Sequence, residues 1–320
     1  MNAETSQNMH LITLSDWDSG RIRDVLALAH ELKAKARNGT LEPVLERKTL
    51  ALLFEKASMR TRVSFEVAMT ELGGHVTYLS KDDVNLGVRE PIKDGARVLA
   101  RYVDGIAARV YAHETVEELA AHSSVPVINA LSDCAHPCQA LADVLTIEEE
   151  VEEPGGARIV FIGDANNVAR SLAVACAKLG LNLTVACPPD YGFDEAFLGQ
   201  VRQIAGGTGG SIETTDSPSE AAEGASVLYT DVWVSMGQEE ETERRRRAFA
   251  GFCIDGGLLA RASADCIVMH DMPAHRGDEI TDEVMEGPQS AVFDQAENRL
   301  HTERALLHML LGEQPVPNDK

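Results

Sequence analysis

Apolar and polar positions follow two alternating patterns in the first half of the chain, one typical of strands and one typical of helices. Short apolar runs predict buried strands, and apolar residues spaced three and four apart predict amphipathic helices between them. The predicted strands are 49–54, 75–79, 105–111 and 125–130, and the predicted helices are 60–72, 92–102 and 115–122, after a first helix at 16–37 that Ser15 or Asp16 would cap. Strands that alternate with helices are typical of parallel βαβ units.

The alternation of predicted strands and helices begins again in the second half, after an acidic stretch at 148–156 that contains proline and glycine. The predicted elements there are strands 158–162, 182–187, 226–231, 251–255 and 265–270, a helix at 167–179 and a final helix at 296–311. A helix that begins near Pro137 runs into the acidic stretch, and we place a domain boundary along it. The pattern predicts an α/β protein of two doubly wound parallel-sheet domains joined by helices, namely 1–142, with 296–320 packing back on it, and 143–295.

Two polar stretches of the second half are predicted to lie at the surface. The run 206–210 contains four glycines and one threonine, which is typical of a flexible loop. The four arginines at 244–247 resemble a basic binding patch, but glutamates at 239–241 and 243 precede them. Ion pairs along one helix face are therefore the favoured interpretation.

The composition indicates which classes of ligand the protein could bind and in which cellular compartment it is expected. The formal net charge of −22 argues against a general nucleic-acid surface, which needs a basic face, so local arginines would have to hold an anionic ligand. The excess of acids and the scarcity of lysine beside arginine fit a salt-adapted source or a GC-biased one. The six scattered cysteines are expected to be reduced thiols of a cytoplasmic protein. Because neither a secretory leader nor a run of 18 apolar residues occurs, no membrane span is predicted.

The stretch 58–62, Ser-Met-Arg-Thr-Arg, carries the strongest candidate chemistry of the first half. It joins a predicted strand to a predicted helix, so Ser58 is the candidate N-cap and the N–H groups of the helix start would face an anion. Arg60 adds a cation suited to phosphate oxygens, and the hydroxyls of Ser58 and Thr61 add donors. The segment is either a site for a phosphate-sized anion or an ordinary capped helix with two solvated arginines.

A second strand-to-helix junction carries His136-Pro137-Cys138-Gln139. Pro137 suits the first position of a helix, and His136 and Gln139 are expected at the carboxyl end of the sheet, where open α/β sheets bind ligands. Cys134, His136 and Cys138 could suggest a metal. Their alternate spacing is not a usual zinc pattern and no second ligand pair follows, so we expect no metal site.

Three further motifs follow predicted strands of the second half. Residues 163–168, Gly-Asp-Ala-Asn-Asn-Val, form a turn whose asparagines could bind a small polar ligand or simply cap a helix. Residues 231–237, Asp-Val-Trp-Val-Ser-Met-Gly, place a carboxylate and a hydroxyl beyond a strand end, which suits the head group of an amino acid. Residues 270–273, His-Asp-Met-Pro, follow the next strand, and Arg299 in Glu-Asn-Arg begins the last helix, either near the same ligands or at the surface.

Five of these motifs resemble, in their order along the chain, the aspartate/ornithine transcarbamylase family, and within it the ornithine carbamoyltransferases, over nearly the whole chain. They are Ser-Met-Arg-Thr-Arg, His-Pro-x-Gln, Asp-x-Trp-x-Ser-Met-Gly, His-x-x-Pro and Glu-Asn-Arg. The Ser-Met-Gly sequence separates the chain from the aspartate branch. The resemblance implies the transcarbamylase fold and transfer of the carbamoyl group of carbamoyl phosphate to the δ-amine of L-ornithine, which gives L-citrulline and phosphate. The reaction belongs to arginine metabolism, where biosynthesis is the expected direction and arginine breakdown, with the reaction running in reverse, is the alternative. It also implies a cytoplasmic homotrimer, or a multiple of trimers, that needs no cofactor and no metal.

The resemblance assigns roles to individual residues. The carbamoyl-phosphate ligands would be Ser58, Met59, Arg60, Thr61, Asn85, Arg109, His136, Gln139 and Arg299. The ornithine ligands would be Asn167, Asp231, Ser235, Met236, Asp271 and Met272. The catalytic groups would be Arg60, Arg109, His136 and Asp271, and the loop of Asn85 would reach a neighbouring subunit's site.

One position departs from the family pattern. The family usually has His-Cys-Leu-Pro where this chain has His-Asp-Met-Pro, and the cysteine borders the reacting amine, so Asp271 leaves the amine substrate and the base chemistry open. The alternatives are a carbamoyltransferase for another amine, such as putrescine or an N-acylornithine, and a non-catalytic paralogue. Retention of Asp231 and of Ser-Met-Gly favours a free α-amino acid. A nucleotide-dependent dehydrogenase is disfavoured because the glycine fingerprint is missing at 163–168.

Overall fold

The structure is a computed structural model that describes residues 10–234 and 239–312. It divides into two compact units. The first unit comprises the chain up to Cys138 together with the segment from Arg299 onward, and the second comprises Gln139–Asn298. The boundaries drawn from the sequence, 142/143 and 295/296, fall in the same two helices, which are Pro137–Glu150 and Val292–Leu311.

The first unit contains a parallel sheet in the order β2-β1-β3-β4. Its strands are β1 (Thr49–Phe54), β2 (His75–Ser80), β3 (Gly105–Arg109) and β4 (Val127–Leu131). Its helices are α1 (Ser19–Arg37), α2 (Met59–Glu71), α3 (Lys81–Val84), α4 (Ile92–Leu99) and α5 (His113–His122), preceded by a 3₁₀ turn at Leu14–Asp16. The predicted strand–helix alternation of the first half is confirmed.

The inner strands of this sheet are apolar because helices cover both of their faces. Every residue of β3 is buried, and so is every residue of β1 after Thr49, whereas the edge strand β2 is only partly covered. Ile106, Ala108 and Val110 pack with Val116 and Leu119 in one hydrophobic cluster. A well-packed sheet of this kind gives the residues at its carboxyl end a rigid support.

The second unit contains a parallel sheet in the order β7-β6-β5-β8-β9. Its strands are β5 (Arg158–Ile162), β6 (Asn182–Ala186), β7 (Ser211–Thr215), β8 (Val227–Thr230) and β9 (Ile267–His270). Its helices are α6 (Pro137–Glu150), α7 (Asn167–Leu179), α8 (Glu195–Thr208), α9 (Pro218–Ala222), α10 (Thr242–Ala248), α11 (Gly256–Leu259), α12 (Asp282–Met285) and α13 (Val292–Leu311), with 3₁₀ turns at Pro154–Gly156, Pro189–Tyr191 and Glu239–Glu241. The boundaries between the units fall within α6 and α13. Within 10–234 and 239–312, no helix has the length and apolar character needed to cross a membrane.

The predicted strand at 251–255 is wrong. Of that run only Ile254 pairs, through an isolated bridge to Ile280. The run is apolar because Phe252 and Ile254 pack in the hydrophobic cluster of the second unit, not because it belongs to the sheet. The sequence pattern also missed β7, an edge strand in which only Ile212 is buried, so that its apolar signal is weak.

Several helix boundaries also differ from the prediction. The last helix begins at Val292 rather than at 296, so the Glu-Asn-Arg motif lies within it and does not begin it. The first helix begins at Ser19, because Asp18 rather than Ser15 or Asp16 is its N-cap and accepts the backbone N–H of Arg21 at 2.8 Å. The glycine-rich run 206–210 is not a loop throughout. Its first three residues complete α8, and Gly209 ends that helix in the left-handed conformation, with φ of 89°.

The strand order reverses direction at one point in each sheet. The chain runs from β1 outward to β2 and then places β3 on the other side of β1. In the second unit it runs from β5 to β6 and β7 and then places β8 on the other side of β5. Ligands of open parallel sheets bind at such switch points, beyond the carboxyl ends of the strands. The turns after β1 and β3, and those after β5 and β8, are therefore the expected ligand positions.

Candidate functional site

The turn after β1 builds a polar cluster around Thr61 in the first unit. Ser58 caps α2, and its hydroxyl oxygen accepts the backbone N–H of Thr61 at 3.3 Å, as the sequence predicts. Thr61 is buried, and its own hydroxyl oxygen lies 3.0 Å from that of Ser58. The start of a capped helix directs N–H groups outward, and this one follows β1 at the switch point of the sheet.

Two buried arginines donate to the hydroxyl of Thr61. Arg109, the last residue of β3, donates from Nη1 at 3.3 Å. Arg299, on α13, donates from Nη2 at 3.4 Å, and its guanidinium also pairs with Glu303 at 2.9 Å. Burial raises the pKa of Glu303 to about 7, although Arg299 acts in the opposite direction. Two guanidinium groups that share one hydroxyl oxygen make a strongly cationic site, which suits a bound anion.

His136 lies beside these arginines in surroundings that favour its neutral form. Its side chain is buried immediately before α6. Burial lowers the pKa of His136 well below its usual value, and the positive charges of Arg299 and Arg109 lower it further. A neutral imidazole can donate one N–H to a carbonyl oxygen without adding a competing positive charge.

We expect the ring of His136 to stay neutral at pH 6.5, the usual midpoint of an imidazole, because protonation would place a third cation in a buried cluster. Two-dimensional ¹H–¹⁵N NMR of the ring nitrogens, followed from pH 8 to pH 5, measures this state. Exposed His75 provides the reference signal in the same spectra. A midpoint for His136 at or above pH 6.5 would contradict the geometry described here.

The remaining residues predicted to hold carbamoyl phosphate lie at or near the same edge. Arg60 is half-buried in the first turn of α2, beside Met59, whose side chain is 72% exposed. Asn85 follows α3 in the left-handed conformation, with φ of 47°. It lines a cavity of about 170 Å³ together with Phe54 at the end of β1. Met59 and Asn85 are exposed and do not take part in the hydrogen bonds described for Thr61.

The turn after β5 joins the turn after β8 in the second unit. Gly163, with φ of 146°, begins the first turn in a conformation that L-residues rarely adopt. Asn166 then caps α7, because its Oδ1 accepts the N–H groups of Val168 and Ala169 at 2.9 and 3.2 Å. Its amide nitrogen donates to the Asp231 carboxylate at 2.7 Å. Asn166, which the sequence did not single out, therefore orients Asp231, and the predicted ligand Asn167 is the half-buried first residue of α7.

Asp231 and Asp271 form a pair of acids that influence each other. Burial raises the pKa of Asp231 to about 7, and the negative charge of Asp271 raises it further, against the effects of His270 and Asn166. Asp231 follows β8 and Asp271 follows β9, which are neighbours in the sheet. Two carboxylates at one sheet edge suit a ligand that carries amino groups.

The residues around Asp271 are held by His270 and Glu279. His270 is buried, and its Nδ1 accepts the backbone N–H of Met272 at 2.8 Å, so the ring proton lies on Nε2. Nε2 donates to the buried Glu279 carboxylate at 3.0 Å. Met272 itself has φ of 65° and precedes a cis peptide bond to Pro273. The backbone on both sides of Asp271 is thus anchored.

A buried carboxyl group on α6, Asp143, was also missed by the sequence analysis. Its Oδ1 accepts Nε2 of Gln139 at 2.8 Å and Nε2 of Gln295 at 2.7 Å. The Tyr229 hydroxyl lies 3.2 and 3.1 Å from its two oxygens. Burial raises the pKa of Asp143 to about 8, and the two amides act in the opposite direction. The predicted carbamoyl-phosphate ligand Gln139 therefore has its amide nitrogen bound within the second unit.

Arg245 ties the two turns of this switch point together. It lies in the predicted basic run, and the predicted ion pair to the residue four positions earlier, Glu241, is confirmed at 3.0 Å. The side chain, however, is buried, and its Nη1 donates to Asp164 at 2.6 Å and to the carbonyl oxygen of Trp233 at 3.0 Å. Asp164 belongs to the turn after β5 and Trp233 to the turn after β8.

Replacing Arg245 with glutamine should lower the free energy of unfolding by roughly 2 kcal/mol, because it leaves the Asp164 carboxylate buried without its cation. The matched control is Arg244→Gln, a change at an exposed neighbour in the same run, which should stay within about 0.5 kcal/mol of the parent. Urea unfolding followed by circular dichroism measures both. Equal stability of the two variants would show that the buried contact contributes little.

Two predicted ornithine ligands, Ser235 and Met236, lie outside the described residues. The described ranges contain no group of three histidine, cysteine or acidic side chains that could hold a metal ion. Of the cysteines near His136, Cys138 is buried, its thiol faces the carbonyl oxygen of Asn129 at 3.6 Å, and burial raises its pKa far above the usual value. A protonated thiol is a poor metal ligand.

Both halves of the chain match family models. Residues 9–149 match the model described as aspartate/ornithine carbamoyltransferase, carbamoyl-P binding domain, and residues 155–310 match the model described as aspartate/ornithine carbamoyltransferase, Asp/Orn binding domain. The division between the models falls in the same region of the chain as the first boundary between the two units.

Relatives of known sequence and known structure agree with these matches. The chain is 53% identical to an ornithine carbamoyltransferase of Acidothermus cellulolyticus over 93% of this chain and 96% of the relative. The structure resembles that of ornithine carbamoyltransferase from Pyrococcus furiosus, with a TM-score of 0.92, 49% identity and coverage of 94% of this chain and 96% of the other. It also resembles an anabolic ornithine carbamoyltransferase from Campylobacter jejuni, with a TM-score of 0.90, 40% identity and coverage of 94% and 98%.

Proposed function

Because the chain belongs to the aspartate/ornithine carbamoyltransferase family, we propose that it transfers the carbamoyl group of carbamoyl phosphate to the δ-amine of L-ornithine, giving L-citrulline and phosphate. The observation that carries the proposal is the opposite charge of the two candidate sites. A cationic cluster around Thr61 suits a phosphoryl anion, and the acids Asp231 and Asp271 suit the ammonium groups of a diamino acid. The phosphoryl group of carbamoyl phosphate and the ammonium groups of ornithine carry these complementary charges.

In the proposed complex, the first unit holds carbamoyl phosphate. The start of α2 and the guanidinium group of Arg60 would bind the phosphoryl oxygens, in keeping with their position at the switch point of the sheet. Arg299 on α13 would assist on the carbamoyl side. The full set of proposed ligands is Ser58, Met59, Arg60, Thr61, Asn85, Arg109, His136, Gln139 and Arg299. Gln139 would face the carbamoyl nitrogen with its carbonyl oxygen, because its amide nitrogen is bound to Asp143.

The reaction needs no nucleophile from the protein. The δ-amine attacks the carbamoyl carbon, a tetrahedral oxyanion forms, and phosphate leaves, so catalysis depends on positioning and on stabilisation of charge. Thr61, Arg109 and neutral His136 would donate to the developing oxyanion. Because these donors are buried and fixed before the reaction, they need little reorganisation when the charge appears.

In the proposed complex, the second unit holds ornithine through Asn167, Asp231, Ser235, Met236, Asp271 and Met272. Asp231 would bind the α-ammonium group. The attacking amine must be neutral, although an alkyl ammonium has a reference pKa of about 10.4. Asp271 can stabilise the ammonium or accept its proton, and we propose that it mainly orients the δ-nitrogen.

A second candidate substrate is putrescine, which the acid pair favours. Putrescine carries an ammonium at each end and no carboxylate, so it matches Asp231 and Asp271 in number and sign of charge. The Cys usual at the position of Asp271 would supply no second negative charge. An N-acylornithine fits less well, because acylation removes the α-ammonium that Asp231 would bind.

The test is an amine panel with carbamoyl phosphate. We expect ornithine to be carbamoylated with at least about tenfold higher kcat/KM than putrescine, N-acetylornithine or lysine, measured as ureido product by colorimetry and mass spectrometry. Highest kcat/KM for putrescine would replace the ornithine proposal with the second candidate. No product with any amine would favour a non-catalytic paralogue that binds carbamoyl phosphate.

We further propose that the protein is cytoplasmic, works in the direction of arginine biosynthesis and assembles as a homotrimer. Names of relatives support the direction, because those of Pyrococcus furiosus and Campylobacter jejuni are called anabolic. The family resemblance supports the trimer, in which the loop of Asn85 would complete a neighbour's site. Analytical ultracentrifugation should give three times the mass of the chain.

A further inference from the structure

A glutamine amide has a donor end and an acceptor end, and Asp143 decides which end of Gln139 faces it. Oδ1 of Asp143 accepts two amide nitrogens, those of Gln139 and Gln295. An oxygen that accepts from both amides cannot also donate to either carbonyl, whether the other oxygen is protonated or not. The carbonyl oxygen of Gln139 therefore points away from Asp143.

The orientation of the second amide, that of Gln295, is fixed in the same way, and this amide contacts the end of β9. Gln295 donates from Nε2 to Asp143, and its Oε1 accepts the backbone N–H of His270 at 2.8 Å. His270 directly precedes Asp271. All four members of this chain of contacts are fully or almost fully buried. Because each amide is bound at a defined end, neither can rotate without leaving a buried polar atom unpaired.

We propose that Asp143 is a positioning residue, which turns the carbonyl oxygen of Gln139 toward the carbamoyl nitrogen of carbamoyl phosphate and, through Gln295, fixes the backbone that carries Asp271. The inference rests on the proposed function, in which Gln139 is a ligand of carbamoyl phosphate. It concerns selectivity. The –NH₂ group of the carbamoyl can donate a hydrogen bond to a fixed carbonyl oxygen. A methyl group of the same size cannot donate, and it would leave that oxygen without a partner.

Two stable analogues test this selectivity at equilibrium. Phosphonoacetamide carries the –NH₂ group, and phosphonoacetone carries a methyl group in its place, so the ratio of their dissociation constants reports the contact of Gln139. Isothermal titration calorimetry measures both constants. The parent should bind phosphonoacetamide at least about fivefold more tightly, the worth of one hydrogen bond to a neutral group.

Variants of Asp143 separate orientation from general weakening. Asp143→Leu removes the acceptor, and Asp143→Ser leaves its only oxygen one bond short of both amides, so in both variants the ratio should fall to about one and KM for ornithine should rise. Asp143→Asn keeps an acceptor oxygen for both amides and should hold the ratio within about twofold of the parent. The matched control is Thr146→Val, which breaks a different buried contact between α6 and α13, that of Asn298 with the Thr146 hydroxyl at 2.9 Å, and should leave the ratio unchanged.

The outcomes distinguish this inference from the proposed function. A merely structural role of Asp143 would weaken both analogues equally, so an unchanged ratio in the leucine and serine variants overturns the inference while citrulline formation by the parent stands. No preference for phosphonoacetamide in the parent overturns it as well. If neither of those variants folds, a fall of the ratio in Asp143→Asn, which retains the acceptor, also overturns it. Failure of the parent to form citrulline instead overturns the proposed function.

Discussion

Replacement of Arg109 with glutamine should lower kcat by about 10²–10³, because in the proposed mechanism it removes a fixed cationic donor to the oxyanion. The side chain of Arg109 is buried at the end of β3 and donates to Thr61 at 3.3 Å, so its guanidinium is held in place before substrate arrives. KM for ornithine should change by less than about threefold, because the contact strengthens in the transition state rather than on binding of the amine. Steady-state citrulline assays at saturating carbamoyl phosphate give both constants.

The control for this prediction is another arginine of the first unit. Arg97 on α4 is exposed and pairs only loosely with Asp94, at 3.4 Å. Arg97→Gln changes the net charge by the same amount as Arg109→Gln and should leave kcat within about twofold of the parent value. An Arg109→Gln variant that folds and retains more than a tenth of parental kcat would remove Arg109 from the proposed oxyanion site.

Those parts of the anion site that depend on residues close together in the sequence were predictable. The cap at Ser58 follows from a strand, a serine and an apolar helical pattern in sequence, and the structure confirms it. The contact of Arg299 with Thr61 joins residues that are 238 positions apart, and no local pattern encodes it. The family resemblance named Arg299, but the burial of its partner Glu303 becomes visible only when α13 is placed beside α2.

Residues that act on other residues were the ones missed. Asp143 looks like an ordinary polar position of a helix in the sequence, because the side chains that bond to it from β8 and α13 lie 86 and 152 positions away. Asn166 and Asn167 are adjacent and identical, so sequence alone could not tell which of them caps α7 and orients Asp231. Such support depends on tertiary packing, which overrides local preference.

Replacement of Asp271 with asparagine should lower kcat/KM for ornithine roughly 10–100-fold at pH 8, because the charge-assisted contact to the amine that we propose becomes a neutral one. It should also shift the pH profile. The negative charge of Asp271 raises the pKa of Asp231, so its removal lowers that pKa. In the proposed complex Asp231 binds the α-ammonium only when ionised, so its contribution is present above its pKa and lost as pH falls through it. The acid limb of the profile should therefore move to lower pH in the variant.

Asp271→Cys provides the matched comparison, because cysteine is the residue usual at this position in the family. A thiol carries no charge near neutral pH, so this variant should show the same shift of the acid limb, while its kcat/KM separates the chemistry of the side chain from its charge. Profiles of kcat/KM for ornithine from pH 5.5 to 9.5 in the three proteins measure both effects. The acid limb belongs to the pair of carboxylates as a unit, so it should move whichever neutral group replaces Asp271. A profile that is unchanged in both variants would place Asp271 outside the amine site, because a carboxylate near the reacting nitrogen cannot lose its charge without altering the ionisation of Asp231.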